Sequence, residues 1–132
     1  MSEENVEIVR RLYEAWQRDG LGVVPELMAP EIEWVNPANA IEPGTRRGYA
    51  GFAAAASSFA SVYRESLVSD VTFYDAGEQI AVKARMTSLA AGSDFPIDMV
   101  RGYVFDVRDG RVTRFAWFTD PAEALADAGL EE

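Results

Sequence analysis

The chain contains neither cysteine nor histidine. Without cysteine there is no disulfide, no thiolate nucleophile and no thiolate-bound zinc. Without histidine the usual general base, the Ser-His triad and the commonest metal ligand are gone as well. Any acid–base chemistry is left to Asp, Glu, Tyr, Lys or a water polarised by Arg. Positive charge is also scarce, with 12 Lys and Arg against 22 Asp and Glu, a net charge of −10. Such a chain repels phosphate, and no basic cluster beyond Arg46-Arg47 offsets the field, so neither a nucleic acid nor an anionic membrane surface is an expected partner. No apolar run approaches the roughly 18 to 20 residues of a membrane span, and the acidic start is unlike a signal peptide. The expected location is the cytoplasm. No Asp-rich loop spacing suggests a metal site, and no cofactor is expected.

What is present suits one folded domain covering residues 1–132: 48% apolar and 26% charged residues give enough burial for a single core. Ser2 with Glu3-Glu4 reads as a cap and acidic first turn. Val6, Val9, Tyr13 and Trp16 then recur at helical spacing, with Arg10, Arg11, Glu14 and Gln17 on the outer side, until Asp19-Gly20. A short second helix is expected over Val23 to Met28, and a strand over Glu31 to Asn36, where Ile32, Trp34 and Asn36 alternate with Glu31, Glu33 and Val35. Residues 37–47 read as loop. Tyr49, Phe52, Ala56, Phe59 and Tyr63 mark a third helix over Gly48 to Tyr63. Strands follow over Leu67 to Tyr74, Ile80 to Leu89, Ile97 to Val107 and Arg111 to Thr119. Asp120-Pro121 opens a last short helix, and Glu131-Glu132 reads as a solvated tail.

The organising stretch is the last hairpin, Met99 to Thr119. Asp109-Gly110 between two alternating runs is a strong turn signal. A three-residue loop, Arg108 to Gly110, would set Tyr103 opposite Phe115 and Arg101 opposite Trp117. One face then carries Arg101, Tyr103, Phe105, Val107, Phe115 and Trp117; the other carries Val104, Asp106, Val112 and Arg114. The first has the bulk, the rings and one charge, as a pocket wall would. The predicted class is α+β, a curved antiparallel sheet with helices gathered against one face.

This layout, with the strings IVRRLYEAWQRDGL, MAPEIEWVNP, RRGYAGF, VRDGRVTRF and DPAEALADAGL, resembles the SnoaL-like branch of the nuclear-transport-factor-2-like superfamily. The resemblance covers nearly the whole chain. It implies a cone-shaped sheet wrapped on three helices of the N-terminal half, with a short C-terminal helix. It further implies a homodimer formed through the outer sheet face, for which Val82, Ala84, Val100, Val104 and Val112 offer apolar surface. The scaffold serves isomerases, epoxide hydrolases, polyketide cyclases and non-catalytic binding modules, so it does not decide function. Where ketosteroid isomerases carry an Asp, a Tyr and an acid, this chain has Asn36, Leu12 and Arg101. Where limonene-epoxide hydrolases carry Tyr and Asn, Arg and Asp, and a final Asp, it has Trp34 and Asn36, Arg85 and Thr87, and Trp117. The cavity Asp of the cyclases has no inward counterpart, since Asp98 and Asp106 fall on the other face; a one-residue slip would reverse that.

The candidate ligand-binding residues are Tyr13, Trp16, Trp34, Asn36, Phe52, Phe59, Arg85, Arg101, Tyr103, Phe115 and Trp117. The aromatics serve equally as core. Arg101 belongs to a solvated strand face, to a buried ion pair with a partner such as Glu33, or to a clamp on an acidic ligand. Arg85, one strand over, either shares its face or alternates outward. Asn36 is a turn residue or a pocket amide. The leading reading is a protein binding a small hydrophobic metabolite with one polar or acidic end. The alternatives are a cofactor-independent SnoaL-like cyclase, isomerase or hydrolase, and a non-catalytic dimerisation module with a filled core.

Overall fold

The computed structural model describes residues 2–40, 42–90, 92 and 94–130, apart from the side chains of Ser2, Arg64, Glu65 and Ala90. The expected Ser2 cap and the Glu131-Glu132 tail therefore lie outside the described residues. The elements are α1 (Ser2–Asp19), β1 (Met28–Asn36), β2 (Gly44–Arg47), α2 (Gly48–Val62), β3 (Tyr63–Asp75), β4 (Gln79–Ala90), β5 (Pro96–Arg108), β6 (Arg111–Phe118) and α3 (Pro121–Asp127). The strands form one curved, unclosed sheet in the order β2-β1-β6-β5-β4-β3. Its neighbours run antiparallel except β1 and β6, which are parallel, so the sheet is mixed rather than antiparallel throughout.

Residues 23–28 do not form the expected helix. Leu27 and Met28 both donate their amides to the Val24 carbonyl at 2.9 Å, closing a single turn. Met28 then enters the sheet beside Val112, whose amide donates to the Leu27 carbonyl at 2.8 Å. Strand pairing outweighs the local helical pattern. β1 thus starts three residues before Glu31 and takes in Pro30, which sits where its ladder with β6 skips between Met28 and Glu33. A residue without an N–H is tolerated at such a break. Thr45, Arg46 and Arg47, expected as loop, pair with Val35, Trp34 and Glu33 as the edge strand β2. Here Glu33 meets Arg47 at 2.9 Å, so it is not a partner for Arg101.

The last hairpin is tighter than expected. Arg108 pairs with Arg111 across a two-residue turn in which Asp109 and Gly110 have φ of 53° and 77°. Positive φ at both central positions defines the type I′ turn, whose twist matches that of the strands. Thr113 is an extra residue between Val112 and Arg114, and beyond this bulge Phe105 faces Phe115 and Tyr103 faces Trp117. The shift of two residues keeps the expected faces, with one exception. Val112, before the bulge, turns inward beside Val107 and is fully buried in the core.

The inner face of the sheet packs on Val9, Leu12 and Tyr13 of α1 and on Phe52, Ala55 and Ala56 of α2. α3 covers part of the outer face instead. Its N-cap is Asp120, whose carboxylate accepts from the Ala122 amide at 2.9 Å, with Pro121 in the first turn. A Cβ on Gly102 would stand 2.6 Å from Ala124 Cβ and 2.8 Å from Pro121 Cα, so the helix lies directly on the β5 backbone. Val82, Ala84 and Val112 belong to the inner core and Val104 is fully buried. Of the expected outer apolar surface only Val100 is exposed, joined by Leu67 on β3.

Candidate functional site

The site follows from how α1 is held against the curved sheet. Its apolar stripe supplies Tyr13 and Trp16, and side-chain amides tie it to the strands. Asn5 donates to the Gly77 carbonyl at 2.9 Å and Gln17 to the Val68 carbonyl at 3.0 Å, while the Trp16 indole donates to the Gly22 carbonyl at 2.9 Å. α2 is fixed to β1 by Tyr49, whose hydroxyl donates to the Met28 carbonyl at 2.9 Å. Between these helices and the sheet lies a cavity of about 330 Å³, within the range of small-molecule sites though at its lower end. Tyr13, Trp16, Trp34, Phe59, Arg101, Tyr103, Phe115 and Trp117 all line it. All three tryptophans of the chain are among them.

The rings meet mainly at steep angles. Tyr13 lies edge-on to Trp16 at 5.6 Å and to Tyr103 at 6.4 Å, and Trp34 edge-on to Phe115 at 4.9 Å. Tyr103 and Phe115 stack at 5.8 Å with 17° between their planes. Offset and edge-to-face pairs of this kind each add roughly 0.5–1.5 kcal/mol to burial alone.

Arg101 is the charge within this wall. It is only 7% exposed. Its guanidinium carbon lies 4.8 Å from the Trp117 ring centre and 5.2 Å from that of Tyr63, and Nη2 donates to the Tyr63 hydroxyl at 3.2 Å. Among the described residues no carboxylate forms an ion pair with it. Cation–π contact offsets part of the desolvation of a buried guanidinium, but does not replace a counter-charge. Among the described residues lining the cavity there is also no Asp or Glu. Asp98 is paired with Arg85 on the outer face, and Asp106 with Gln79 and Arg114.

Two phenols among the lining residues are deeply buried. Tyr13 Oη is buried and has no hydrogen-bond partner. Burial, and secondly the neighbouring Tyr103, pushes its pKa well above the ordinary 10.0. In Tyr103 burial likewise raises the value while Arg101 pulls it down. Both phenols are therefore neutral near pH 7, as donors in an apolar enclosure.

Three candidates lie elsewhere. Asn36 is no lining residue: its Oδ1 accepts from the indoles of Trp34 at 2.6 Å and Trp117 at 2.7 Å, while Nδ2 donates to the Glu42 carbonyl at 2.8 Å. Its amide is spent on holding two walls of the cavity. Phe52 is fully buried beneath it, against Trp34 and Phe115. Arg85 pairs with Val100, whereas Arg101 pairs with Ala84, so the two arginines take opposite faces. Arg85 reaches Asp98 at 2.8 Å and Asp70 at 3.5 Å in an exposed cluster. The cavity adds Gln17, Leu21, Tyr63, Ser66, Val68 and Met86. Tyr63 closes the apolar stripe of the α2 segment and Met86 shares a strand face with Ala84 and Val82, signals consistent with plain burial as well. Among the described residues no group of three or more acidic side chains could hold a metal ion, and no helix is long and apolar enough to cross a membrane.

An unclosed cone of this order, packed on α1 and α2 around a cavity, defines the nuclear-transport-factor-2-like class. Residues 9–115 match the SnoaL-like domain, and the chain belongs to that family. A nuclear-transport-factor-2-like protein of Burkholderia pseudomallei K96243 is 25% identical, over 93% of this chain and 95% of that one, with a TM-score of 0.77. Another, from Burkholderia xenovorans LB400, is 27% identical over 97% of both chains with a TM-score of 0.71. A candidate SnoaL-like polyketide cyclase of Jannaschia sp. CCS1 shares the fold at 24% identity and a TM-score of 0.70, over 95% and 91% of the two chains. No curated protein sequence matches.

Proposed function

We propose that this protein binds a small, largely aromatic metabolite in the cone, with an anionic end set against Arg101. The observation that carries the reading is a buried guanidinium, unpaired with any described carboxylate, in the wall of an aromatic cavity. Aromatic walls supply binding free energy at about 25 cal/mol per Å² of apolar surface removed from water. The guanidinium supplies orientation, and an anion relieves the cost of keeping it buried. The open cavity speaks against a filled-core module. The lack of a described inward carboxylate speaks against acid–base catalysis of the cyclase or isomerase type. As part of the same proposal, two copies pair through the outer face around the exposed Leu67 and Val100; Leu67→Glu then lowers the sedimenting mass, and an unchanged mass rejects this pairing.

The test of binding is thermal unfolding of the wild type and Arg101→Met with 2-naphthoate and its neutral carboxamide. Ligand at a hundred times its dissociation constant stabilises by about 2.7 kcal/mol. The carboxylate is expected to raise the midpoint of the wild type well beyond the carboxamide, and Arg101→Met to lose that difference. If the two ligands act alike on the wild type, the anionic end is wrong.

A further inference from the structure

No described carboxylate forms an ion pair with Arg101, so its place in the wall depends on the rings it touches. The nearer ring is Trp117, 4.8 Å from the guanidinium carbon, with Tyr63 at 5.2 Å. Tryptophan is the best aromatic partner for a cation, provided the cation stands over its face. What fixes that face is a residue that does not line the cavity. The Trp117 indole donates to Asn36 Oδ1 at 2.7 Å, and the Trp34 indole donates to the same oxygen at 2.6 Å. Indole N–H groups only donate, so the atom between them is the oxygen and the amide has a single orientation. Its nitrogen is held from the other side, donating to the Glu42 carbonyl at 2.8 Å. The same loop is tied to the end of β6 by Asn39, which donates to the Thr119 hydroxyl at 3.0 Å. Asn36, Trp117 and Arg101 thus form a line from the loop after β1 to the charge in the cavity wall.

Two effects run along this line. The hydrogen bond keeps the indole from turning, because rotation would leave its donor without an acceptor. Donation to the oxygen also leaves the ring more negative, as hydrogen bonds in series polarise one another. Both hold the guanidinium over Trp117. We infer that Asn36 is a positioning residue, which through Trp117 fixes where the Arg101 guanidinium stands. A cation so fixed distinguishes a carboxylate from a neutral carboxamide, a consequence that rests on the binding reading above.

The test has one readout without ligand and one with it. In the unliganded protein the Arg101 Nε–H resonance, assigned by its loss in Arg101→Met, lies in the ring current of Trp117. Asn36→Leu is expected to move it toward the shift of an ordinary arginine; an unmoved resonance overturns the positioning role. Dissociation constants of 2-naphthoate and its carboxamide are then measured by calorimetry on the wild type, Asn36→Leu, Trp117→Phe and the double variant. Asn36→Leu is expected to cut the preference for the carboxylate about fivefold. A merely structural role weakens both ligands alike, and an unchanged ratio overturns the inference. The double variant is expected to lose no more preference than Trp117→Phe alone, whereas additive losses overturn the route through Trp117. Trp117→Phe keeps a ring and removes the donor, so it tests the same link if Asn36→Leu does not fold; an unchanged preference there overturns it. If neither ligand binds the wild type, the binding reading and the anion preference fall, while the Arg101 resonance still decides whether Asn36 positions the guanidinium.

Discussion

At the scale of single residues, the side chains around the cavity carry stability costs that can be measured one at a time. Tyr13→Phe removes a hydroxyl that is buried and unpaired, so it should stabilise the unliganded protein by about 1 kcal/mol in urea unfolding; a destabilised variant would mean the hydroxyl is satisfied in solution. The same group sets an alkaline limit. Its pKa, raised by burial and then by Tyr103, exceeds the unfolded value near 10, so its contribution is fully present below pH 10. It is lost as pH rises further, because the unfolded chain gives up a proton that the fold retains. The slope is at most about 1.4 kcal/mol per pH unit for each such tyrosine, and it should be shallower in Tyr13→Phe between pH 9 and 11. Parallel curves would remove Tyr13 as the cause. Asn36→Leu leaves two indole donors without their acceptor and should cost about 1–3 kcal/mol. The sequence offered turn residue or pocket amide for Asn36, and neither describes its work. An acceptor shared by two indoles, one of them 81 residues further along the chain than Asn36, depends on the β1·β6 pairing, which no local pattern reveals.

At the scale of elements, what was legible was what periodicity and turn chemistry determine. Two of the three expected helices of the N-terminal half, all five expected strands and the Asp120 cap rest on local signals, and the structure keeps them. The failures are places where a distant strand decides. Val24 to Met28 is drawn out of a helix by Val112, and Thr45 to Arg47 becomes a strand only because β1 offers an edge. In the final hairpin the face was legible and the register was not, since a type I′ turn and a Thr113 bulge together replace a three-residue loop. Gly102 is the residue through which β5 meets α3. Gly102→Ala would put a methyl 2.6 Å from Ala124 Cβ, a clash of the overpacking kind that costs about 1–3 kcal/mol. Faster amide exchange in α3 should accompany the loss. A neutral substitution would show that α3 is free to move away from the sheet.

At the scale of the whole molecule, charge and site pull against each other. The fold class followed from the pattern of the chain, but the −10 net charge gave no hint of a guanidinium buried without an ion pair among the described residues. Which arginine turns inward depends on strand register: the hairpin pattern sets Arg101 among the rings, while Arg85 stays open between the two faces until the β4·β5 pairing decides it. An anion approaching this protein meets a repulsive field before it meets Arg101. The two act over different distances. The field of exposed carboxylates is screened beyond a Debye length, about 30 Å at 0.01 M salt and about 8 Å at 0.15 M. The contact between a bound carboxylate and a buried guanidinium is shorter than either and is screened much less. Raising ionic strength from 0.01 to 0.15 M should therefore tighten binding of 2-naphthoate, mainly through a faster association rate, while dissociation changes little. This sign is opposite to that of an ion pair on an exposed surface, which salt weakens. Stopped-flow quenching of the three cavity tryptophans gives both rates directly. If salt instead weakens the complex through faster dissociation, the guanidinium is reached by solvent and Arg101 holds its ligand at the rim of the cone, not inside it.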